Sequence, residues 1–401
     1  MDFSTLLQLD LTNRSVFLRL DLNVPLIDGV IQDDTRIRAA LPTIQYILER
    51  THKLVIASHL GRPKGVVTSA YSLEPIGRRL SELLHRDVLL VHDYAEEPID
   101  SLLSQLGKNQ LILLENLRFH PEETAGSEPF AKNLMKGIHL YVNDAFGTLH
   151  RAHSSIYEAA LEVPRENRAI GFLIEKEIAA LSQLTTDVRR PYTLIMGGSK
   201  VEDKIGVMLH LLEHCNRLLI GGAMAYTFLE IQGFPIGNSF VEREKRALCQ
   251  SILDMAQARK VEICLPIDHV CGKSLDPETP HQVVDGIAIP AGWMGLDIGP
   301  KTIRLFESYI INSSTVFWNG PMGVFEWPTF AKGSLKVAEA VGRCMGFTVV
   351  GGGDSVSAVN QAHMAARIRH VSTGGGASLA YLEGSPLPGL RVLEKRADHG
   401  G

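Results

Sequence analysis

Arginine residues follow successive strand-like segments in the first half of the 401-residue chain. Arg62, Arg118 and Arg151 each come shortly after an apolar run, and Arg36 opens the helix-like segment behind the first run. Because the carboxyl ends of parallel strands meet at one edge of a sheet, we expect these side chains to lie together. Clustered cations repel one another unless an anion lies among them, so the pattern predicts an anionic substrate. Any one arginine, taken alone, is better explained as a surface or capping residue.

The same loops carry further polar side chains, namely Asp21, Asn23, His59, His150 and His153. His150 and His153 have a spacing that metal ligands can adopt. No H-E-x-x-H motif and no third ligand stands nearby in the sequence, so a structural or anion-binding role is favoured over a metal site.

The second half of the chain has glycine-rich segments where its strand-like runs end. They are MGGSK (196–200), IGGAMAY (220–226), WNGPMGVFE (318–326), GGGDS (351–355) and STGGGAS (372–378). Glycine lets backbone N–H groups approach a phosphate chain, and a helix N-terminus favours negative charge. One such turn is weak evidence, because packing often requires glycine there. The repeated pattern predicts a nucleotide or another polyphosphate.

Three charged residues in these glycine-rich segments could act on phosphate. Lys200 and Lys204 are four apart, so on a helix they share one face, although a solvated face with Glu202 and Asp203 is an equal alternative. Asp354 would repel phosphate unless a hard cation lies between them, which predicts Mg²⁺ contact by Asp354. Helix N-capping by Asp354 is the alternative, and the two roles can coexist.

Strand-like and helix-like segments alternate along the chain. The predicted strands are 15–21, 53–58, 88–91, 110–114 and 139–143 in the first half, and 192–196, 217–220, 261–265, 315–318, 346–350 and 369–372 in the second. The predicted helices include 36–50, 74–85, 202–213, 241–259 and 329–343. This alternation predicts an α/β fold with two parallel sheets, each covered by helices on both faces.

The predicted division between the two sheets falls near 165–190. An amphipathic segment, 171–184, is expected to join the lobes as a hinge helix, with an ordinary crossover helix as the alternative. The predicted domains are 1–170, a hinge at 171–185, and 186–383.

Composition excludes several classes of protein. A net charge of -5 and 6% aromatic residues give no basic footprint or stacking platform for nucleic acid. The five cysteines form no C-x-x-C pair, which argues against disulfide and zinc-ribbon scaffolds. Asp2 stands where a signal peptide would be cationic, and no apolar run approaches 18 residues, so we expect a cytoplasmic protein without membrane contact.

Long motifs along essentially the whole chain resemble those of the phosphoglycerate kinases. They are RLDLNVP (19–25), DDTRIRAALPTI (33–44), SHLGRP (58–63), LLENLRFHPEE (113–123), NDAFGTLHRAHSS (143–155), GFLIEKE (171–177), MGGSKVEDKI (196–205), GWMGLDIGP (292–300), FWNGPMGVFE (317–326), GGGDS (351–355) and STGGGASL (372–379).

The resemblance implies two Rossmann-like lobes that face each other across a cleft. One lobe would bind 3-phosphoglycerate or 1,3-bisphosphoglycerate through Asp21, Asn23, Arg36, His59, Leu60, Gly61, Arg62, Arg118, His150 and Arg151. The other would bind ADP or ATP with Mg²⁺ through Gly198, Lys200, Lys204, Gly221, Gly222, Leu296, Asn319, Pro321, Glu326, Gly352, Gly353, Asp354 and Ser355. Glu326 would meet the ribose hydroxyls, Leu296 would border the adenine, and Asp354 would contact the metal.

The resemblance also implies how the chain would work. Arg36 and Lys200 would contact the transferring phosphoryl group, with backbone donors from Gly374, Gly375 and Gly376. The lobes would close about the hinge helix, the tail 384–401 would return to the first lobe, and the chain would be a monomer. Ala223 stands where the family usually has a third glycine, and Ser355 where threonine is usual.

Two other functions remain open at this stage. A kinase-like regulatory protein without turnover would be expected to lose Arg36, Lys200 or the 374–376 glycines, and all are present. A two-lobe dehydrogenase is disfavoured because no G-x-G-x-x-G follows a strand, and the P-loop motif is also absent.

Overall fold

The computed structural model describes residues 3–94 and 98–395, so Asp2 and part of the predicted tail, 396–401, lie outside the described part. The chain divides into two compact units. The first unit contains the residues up to Ile178 and those from Pro386 onward, and the second is Ala179–Ser385. The domain limits drawn from the sequence stay predictions.

The first unit is built on a parallel sheet, which has six strands among the described residues, in the order β5-β6-β4-β1-β7-β8. Its strands, with a separate antiparallel hairpin of β2 and β3, are β1 (Val16–Arg19), β2 (Leu26–Ile27), β3 (Val30–Ile31), β4 (Leu54–Ala57), β5 (Asp87–Val91), β6 (Gln110–Leu114), β7 (Leu140–Asn143) and β8 (Arg168–Ile170). The central strands β1, β4 and β7 are buried along their whole length, as expected for a sheet with both faces covered.

Helices connect these strands. They are α1 (Thr35–Leu48), α2 (Glu74–Leu84), α3 (Ile99–Gln105), α4 (Pro121–Ala125), α5 (Glu128–Leu134), α6 (Ala159–Leu161) and α7 (Phe172–Ser182). Short 3₁₀ helices lie at Leu6–Gln8, Ser69–Tyr71, Leu117–Phe119, Phe146–Thr148 and Arg165–Asn167, and a π-helical turn lies at Ser154–Glu158.

The second unit has a parallel sheet in the order β11-β10-β9-β15-β16-β17 and, among the described residues, a three-stranded antiparallel sheet in the order β13-β12-β14. Its strands are β9 (Tyr192–Met196), β10 (Arg217–Ile220), β11 (Glu262–Cys264), β12 (His269–Gly272), β13 (His281–Val284), β14 (Met294–Ile298), β15 (Thr315–Asn319), β16 (Phe347–Gly351) and β17 (His370–Val371). Its helices are α8 (Ile205–Leu211), α9 (Met224–Ile231), α10 (Arg246–Arg259), α11 (Pro300–Ile311), α12 (Lys332–Arg343), α13 (Gly353–Gln361) and α14 (Gly376–Leu382). Short 3₁₀ helices lie at Glu202–Lys204, Arg243–Lys245, Pro328–Phe330 and Ala365–Arg367.

The expected α/β fold with two parallel sheets is confirmed, and the antiparallel sheet is the largest element that the sequence did not predict. Strand β13 is exposed over most of its length, so no buried apolar run or alternation marks it. Strand β13 joins the sheet by pairing with β12, and β12 also pairs with β14. Strand β8 was missed as well, because it has only three residues.

The chain segment after Pro386, with α15 (Pro388–Arg391), packs within the first unit. The Gly389 N–H donates to the Leu149 carbonyl at 3.0 Å, and Glu394 forms a bridge with Phe3. Arg165 adds a hydrogen bond of 2.7 Å to the Glu394 carbonyl. This segment therefore completes the first unit although it follows the second in sequence.

Helix α7, which contains the division between the units, begins on a buried carboxylate. Asp144 follows β7 and accepts hydrogen bonds from the Leu173 N–H at 2.8 Å, the Ile174 N–H at 3.0 Å and the Thr43 hydroxyl at 2.6 Å. The Asp144 carboxylate thus provides an acceptor for two N–H groups of the first helical turn, which have no partner within the helix. Burial raises the pKa of Asp144 to about 6, while the hydrogen bonds favour its charged form.

Candidate functional site

The loop after β1 is held in shape by Arg36 at the start of α1. The Arg36 guanidinium donates to the Asp21 carboxylate at 2.9 Å and to the Asn23 carbonyl at 3.2 Å. The Asn23 side chain in turn accepts a hydrogen bond of 2.8 Å from the Gly61 N–H, in the loop after β4. Three of the predicted sequence segments therefore meet at one sheet edge, as the strand-end rule requires.

A second set of bonds joins the β4 loop to the loop after β6. Arg118 donates to the Gly61 carbonyl at 2.6 Å. Asn116, which is fully buried, binds both the N–H and the carbonyl of Leu60, at 3.1 and 2.7 Å. Asn116 was not predicted, although ENLRFHPEE contains it, because its role depends on a partner 56 residues away.

These loops open into a cavity of about 460 Å³ within the first unit, here called the arginine pocket. Its wall contains Arg62, Lys64, Arg118, Arg151 and His153, and the described residues that line it include no carboxylate. The predicted residues Asp21, Asn23, Arg36, His59, Leu60, Gly61 and His150 do not line this cavity. Four permanent cations without a lining carboxylate make an anion the natural occupant.

A buried polar network lies behind the arginine pocket. Arg19, at the end of β1, is fully buried and donates to the Ser155 hydroxyl at 2.7 Å and to the Leu20 carbonyl. Glu123, also fully buried, accepts from the Ser155 N–H and hydroxyl at 2.9 and 2.7 Å. Neither charged residue was predicted from the sequence. An arginine inside an apolar strand is a usable signal, because a buried charge needs a partner.

The histidines near the pocket are kept neutral by their surroundings. Burial, and then the positive charge of Arg19, lowers the pKa of His59 well below its usual value. The same two causes lower the pKa of His153 to about 4. Burial, followed by the charge of Arg151, lowers the pKa of His150 and of Arg118, the latter to about 10. His150 and His153 therefore lie among positive charges. Arg151 donates to the His150 ring at 3.1 Å.

The second unit contains another cavity of about 460 Å³, here called the glycine pocket. Predicted residues that line it are Gly198, Lys200, Gly222, Leu296, Pro321, Glu326 and Asp354. The remaining wall is largely apolar and includes Ala223, Tyr226, Phe240, Leu275 and Met294. The predicted residues Lys204, Gly221, Asn319, Gly352, Gly353, Ser355 and Gly374, Gly375 and Gly376 do not line it.

The glycines of this unit serve two different purposes. Gly222 has a φ of +68°, and a Cβ there would collide with the Gly198 backbone, so packing alone demands glycine. A Cβ on Gly353 or Gly376 would meet no atom within 4 Å, and neither residue has a positive φ. These two positions therefore leave open space beside the first turns of α13 and α14.

The two lysines do not share a helix face, so that prediction was wrong. Lys200 precedes the 3₁₀ turn Glu202–Lys204, and α8 begins only at Ile205. The reason is a tertiary anchor, since the buried Glu242 carboxylate accepts from the Val201 N–H.

The two lysines also differ in environment. Lys200 is exposed at the pocket wall. Lys204 donates to the Asn319 side chain, and burial lowers the pKa of Lys204 to about 8.

Asp354 lies in the first turn of α13, whose N-cap residue is Gly352 without a side-chain cap bond. Its carboxylate is exposed at the wall of the glycine pocket and receives no hydrogen bond from the rest of the described chain. The capping role is therefore not seen, and the carboxylate oxygens are available to a ligand. The neighbouring Ser355 is buried and accepts from the Gly320 N–H at 2.5 Å.

The start of α14 offers fewer free donors than predicted. The Gly374 N–H already donates to the Ser372 hydroxyl at 3.2 Å. Gly375 has a φ of +53° and is the N-cap residue, and Gly376 is the first helical residue. Two of the three predicted backbone donors therefore stand at the free end of the helix.

No helix in the described part of the chain is both long and apolar enough to cross a membrane. The five cysteines are all buried free thiols, and burial raises the pKa of each, so none is poised to react.

Comparison with known proteins shows the family to which the chain belongs. The Phosphoglycerate kinase family model matches residues 6–385. A phosphoglycerate kinase of Anaeromyxobacter sp. (strain Fw109-5) is 48% identical over 397 residues, covering 98% of this chain and 100% of the relative. That of Bdellovibrio bacteriovorus is 46% identical over 392 residues, covering 98% and 97%.

Solved structures agree with the sequence relatives. The phosphoglycerate kinase of Coxiella burnetii matches with a TM-score of 0.87 and 35% identity, covering 99% of this chain and 100% of that one. The enzyme of Pyrococcus horikoshii OT3 matches with a TM-score of 0.83 and 34% identity, covering 97% and 98%. The chain therefore belongs to the phosphoglycerate kinase family.

Proposed function

We propose that the chain, as a phosphoglycerate kinase, transfers a phosphoryl group reversibly between 1,3-bisphosphoglycerate and ADP, giving 3-phosphoglycerate and ATP. The observation that carries the proposal is the arginine pocket, in which Arg62, Lys64, Arg118 and Arg151 face one cavity without a lining carboxylate. A small substrate that carries both phosphate and carboxylate groups suits such a wall.

We assign the acid substrate to the first unit. Its proposed contacts are Asp21, Asn23, Arg36, His59, Leu60, Gly61, Arg62, Arg118, His150 and Arg151. Arg62, Arg118 and Arg151 would bind the phosphate directly. Asp21, Asn23 and Gly61 form the bonded loop that holds Arg36, so part of their contribution is to position that guanidinium.

We assign the nucleotide to the second unit. Its proposed contacts are Gly198, Lys200, Lys204, Gly221, Gly222, Leu296, Asn319, Pro321, Glu326, Gly352, Gly353, Asp354 and Ser355. The apolar wall beside Leu296 suits an adenine ring, and the exposed Glu326 carboxylate at the same wall suits ribose hydroxyls. Lys204 and Asn319 lie behind the wall and would support the loops that carry the direct contacts.

The residues fit a magnesium ion bound with the nucleotide. Asp354 presents an exposed carboxylate without a hydrogen-bond partner among the described residues, and Mg²⁺ commonly binds one carboxylate together with phosphate oxygens. When bound, the ion neutralises phosphate charge. Asp354 would hold it, and Lys200 would balance the remaining charge nearby.

The transfer step needs positioning more than acid–base chemistry. In the forward direction an ADP oxygen attacks the phosphorus of the acyl phosphate, and the 3-phosphoglycerate carboxylate leaves. Both oxygens are ionised near pH 7, so no general base is required. We propose direct in-line transfer, with Arg36 and Lys200 and the backbone N–H groups of Gly375 and Gly376 stabilising charge on the transferring group.

Because the two sets of ligand contacts belong to different units, the reaction requires the units to come together. We propose hinge bending at α7, whose start is fixed by Asp144 and Thr43. Closure would also exclude water that could hydrolyse the acyl phosphate. We further propose a monomer in the cytoplasm, a reducing compartment that suits five free buried cysteines.

A coupled assay with 3-phosphoglycerate and ATP, with and without Mg²⁺, tests the proposal. We expect turnover only when both substrates and the metal are present. Turnover without 3-phosphoglycerate, or unaltered turnover when a chelator removes Mg²⁺, would contradict it.

A further inference from the structure

A second arginine-lined cavity, about 500 Å³ in volume, lies within the first unit and is here called the tail cavity. Arg165, Arg168 and Arg391 line it, together with the apolar surfaces of Tyr157 and Pro388. The returning segment after Pro386 forms one side of it. The proposed substrates do not use this cavity, and none of its lining residues belongs to the arginine pocket.

The three arginines of the tail cavity, Arg165, Arg168 and Arg391, form no ion pair in the described part of the chain, although the charge of Glu166 acts on Arg168. The described lining contains no carboxylate. Arg391 is exposed, and its side chain makes no hydrogen bond to any described residue. Three cations around one cavity repel each other, and an anion would remove that repulsion.

Two of the arginines are already fixed in place. Arg168 is 7% exposed, and all three of its guanidinium nitrogens donate to backbone carbonyls: to Val163 at 2.8 and 3.0 Å, to Val392 at 3.2 Å and to Leu161 at 3.5 Å. Arg165 is fixed by its bond to the Glu394 carbonyl. Because backbone carbonyl groups and not carboxylates hold these guanidiniums, no ion pair neutralises them, and they lose little side-chain freedom when a ligand binds. Burial, followed by the charge of Arg165, lowers the pKa of Arg168.

One chain segment forms a wall of both cavities. Arg151 and His153 line the arginine pocket, whereas Ala152 and Tyr157 line the tail cavity. The π-helical turn Ser154–Glu158 continues this wall. A ligand in the tail cavity would therefore lie on the opposite side of the backbone that presents Arg151.

We propose that the tail cavity binds a small phosphate-bearing anion, with its phosphate groups bonded to Arg165 and Arg391 and attracted by the charge of Arg168. The apolar surfaces of Tyr157 and Pro388 provide space for an organic part, so the ligand is a phosphate ester or an inorganic polyphosphate. This site lies beyond the proposed kinase function and does not depend on it.

Calorimetric titration of the full chain tests the site, with inorganic tripolyphosphate and phenyl phosphate as separate probes. We expect Arg391→Gln to weaken one binding event about tenfold, the usual effect of losing one charge-assisted hydrogen bond, and Arg391→Lys to weaken it less. Tighter binding of phenyl phosphate than of tripolyphosphate would identify an ester site, and the reverse order a polyphosphate site.

Two further variants show which cavity each binding event belongs to. Arg62→Gln should weaken a different event, at the arginine pocket, and the exposed Arg367→Gln should change neither. Circular dichroism and the melting temperature check that each variant folds. If Arg391→Gln leaves every event within twofold of the unmodified chain, the tail cavity is not an anion site.

Discussion

The arginine pocket and the glycine pocket are suited to anions by different physical means. The first has Arg62, Lys64, Arg118 and Arg151 around one cavity, so its selectivity rests on side-chain charge. The second has a single lining lysine, Lys200, and otherwise depends on glycines and an apolar wall. Under the proposed assignment of ligands, this difference predicts that charge selects the small acid, whereas shape and backbone donors select the nucleotide.

The two pockets also differ in how strongly their charged side chains change the pKa values of nearby groups. Near the arginine pocket, burial is the main cause of the low pKa values of His59 and His153 and of the lowered pKa of Arg118, and the positive charges of neighbouring arginines lower all three further. In the second unit, the depressed pKa of Lys204 is due to burial, and Asp354 acts against it. Ligand charge should therefore change protonation much more in the first unit than in the second.

The largest effect is expected at Arg36. Arg36→Ala should reduce kcat by about a thousandfold, because it removes a cation from the transferring group and releases the Asp21–Asn23 loop. ADP affinity should be unchanged, because the nucleotide contacts lie on the other unit. Arg38→Ala is the matched control, since Arg38 is on the same helix and pairs only with Asp34 at 2.9 Å. Near-normal turnover of Arg36→Ala in a steady-state assay would contradict the role proposed for Arg36.

A smaller effect is expected at Asp354. Asp354→Asn should weaken the affinity for Mg-ADP about tenfold, because the metal loses its carboxylate ligand. The affinity for ADP without metal should stay the same or rise, since the carboxylate repels phosphate. Asp203→Asn is the control, because Asp203 also acts on Lys204 but does not line the pocket. Equal calorimetric affinities of Asp354→Asn and the unmodified chain for Mg-ADP would exclude metal contact.

Protonation of His153 distinguishes the pockets directly. Its pKa of about 4 in the free protein should rise by at least about one unit when 3-phosphoglycerate binds, because the anion cancels the field of the arginines. NMR titration of the His153 ring measures this change. ADP should leave the His153 signal unchanged, and 3-phosphoglycerate should leave the signal of the exposed His85 unchanged. If binding of 3-phosphoglycerate left the pKa of His153 unchanged, the anion would bind elsewhere.

The depressed pKa of His153 also determines the direction in which the stability of the folded chain changes with pH. The unfolded chain takes up the His153 proton near pH 6.5, whereas the folded chain does so only near pH 4. Stability linked to this histidine is therefore complete above about pH 6.5 and is lost as the pH falls towards 4.

The smallest effect is expected at Ala223. Ala223→Gly removes one methyl group from the wall of the glycine pocket and should change ADP affinity by no more than about fourfold. Ala223 has a φ of -64°, so alanine is unstrained there. A calorimetric change of tenfold or more would show that the wall shape at Ala223 controls the fit of the nucleotide.

Much of this contrast was predictable from the sequence, because both pockets follow the ends of parallel strands. Arg62, Arg118 and Arg151 were found by their place after β4, β6 and β7, and the glycine segments by their place after the strands of the second sheet. The apolar runs of the central strands marked those strands clearly, since burial on both faces leaves no polar alternation.

The parts that the sequence did not predict depend on distant partners. Glu123 and Arg19 form one network only because Ser155 lies between them. Lys200 and Lys204 precede the first residue of α8, and Glu242, about forty residues later, accepts from the Val201 N–H between them. The glycines look alike in sequence, yet Gly222 is required by packing and Gly376 is not.

Binding of 3-phosphoglycerate and of ADP to Arg62→Gln tests the division between the pockets most directly. Arg62 is exposed, lines the arginine pocket and makes no hydrogen bond to the described residues, so its replacement leaves the fold intact. Calorimetry should show 3-phosphoglycerate affinity reduced about tenfold or more, and ADP affinity unchanged. Unchanged 3-phosphoglycerate affinity, or an equal loss for both ligands, would contradict the assignment of the acid substrate to the arginine pocket.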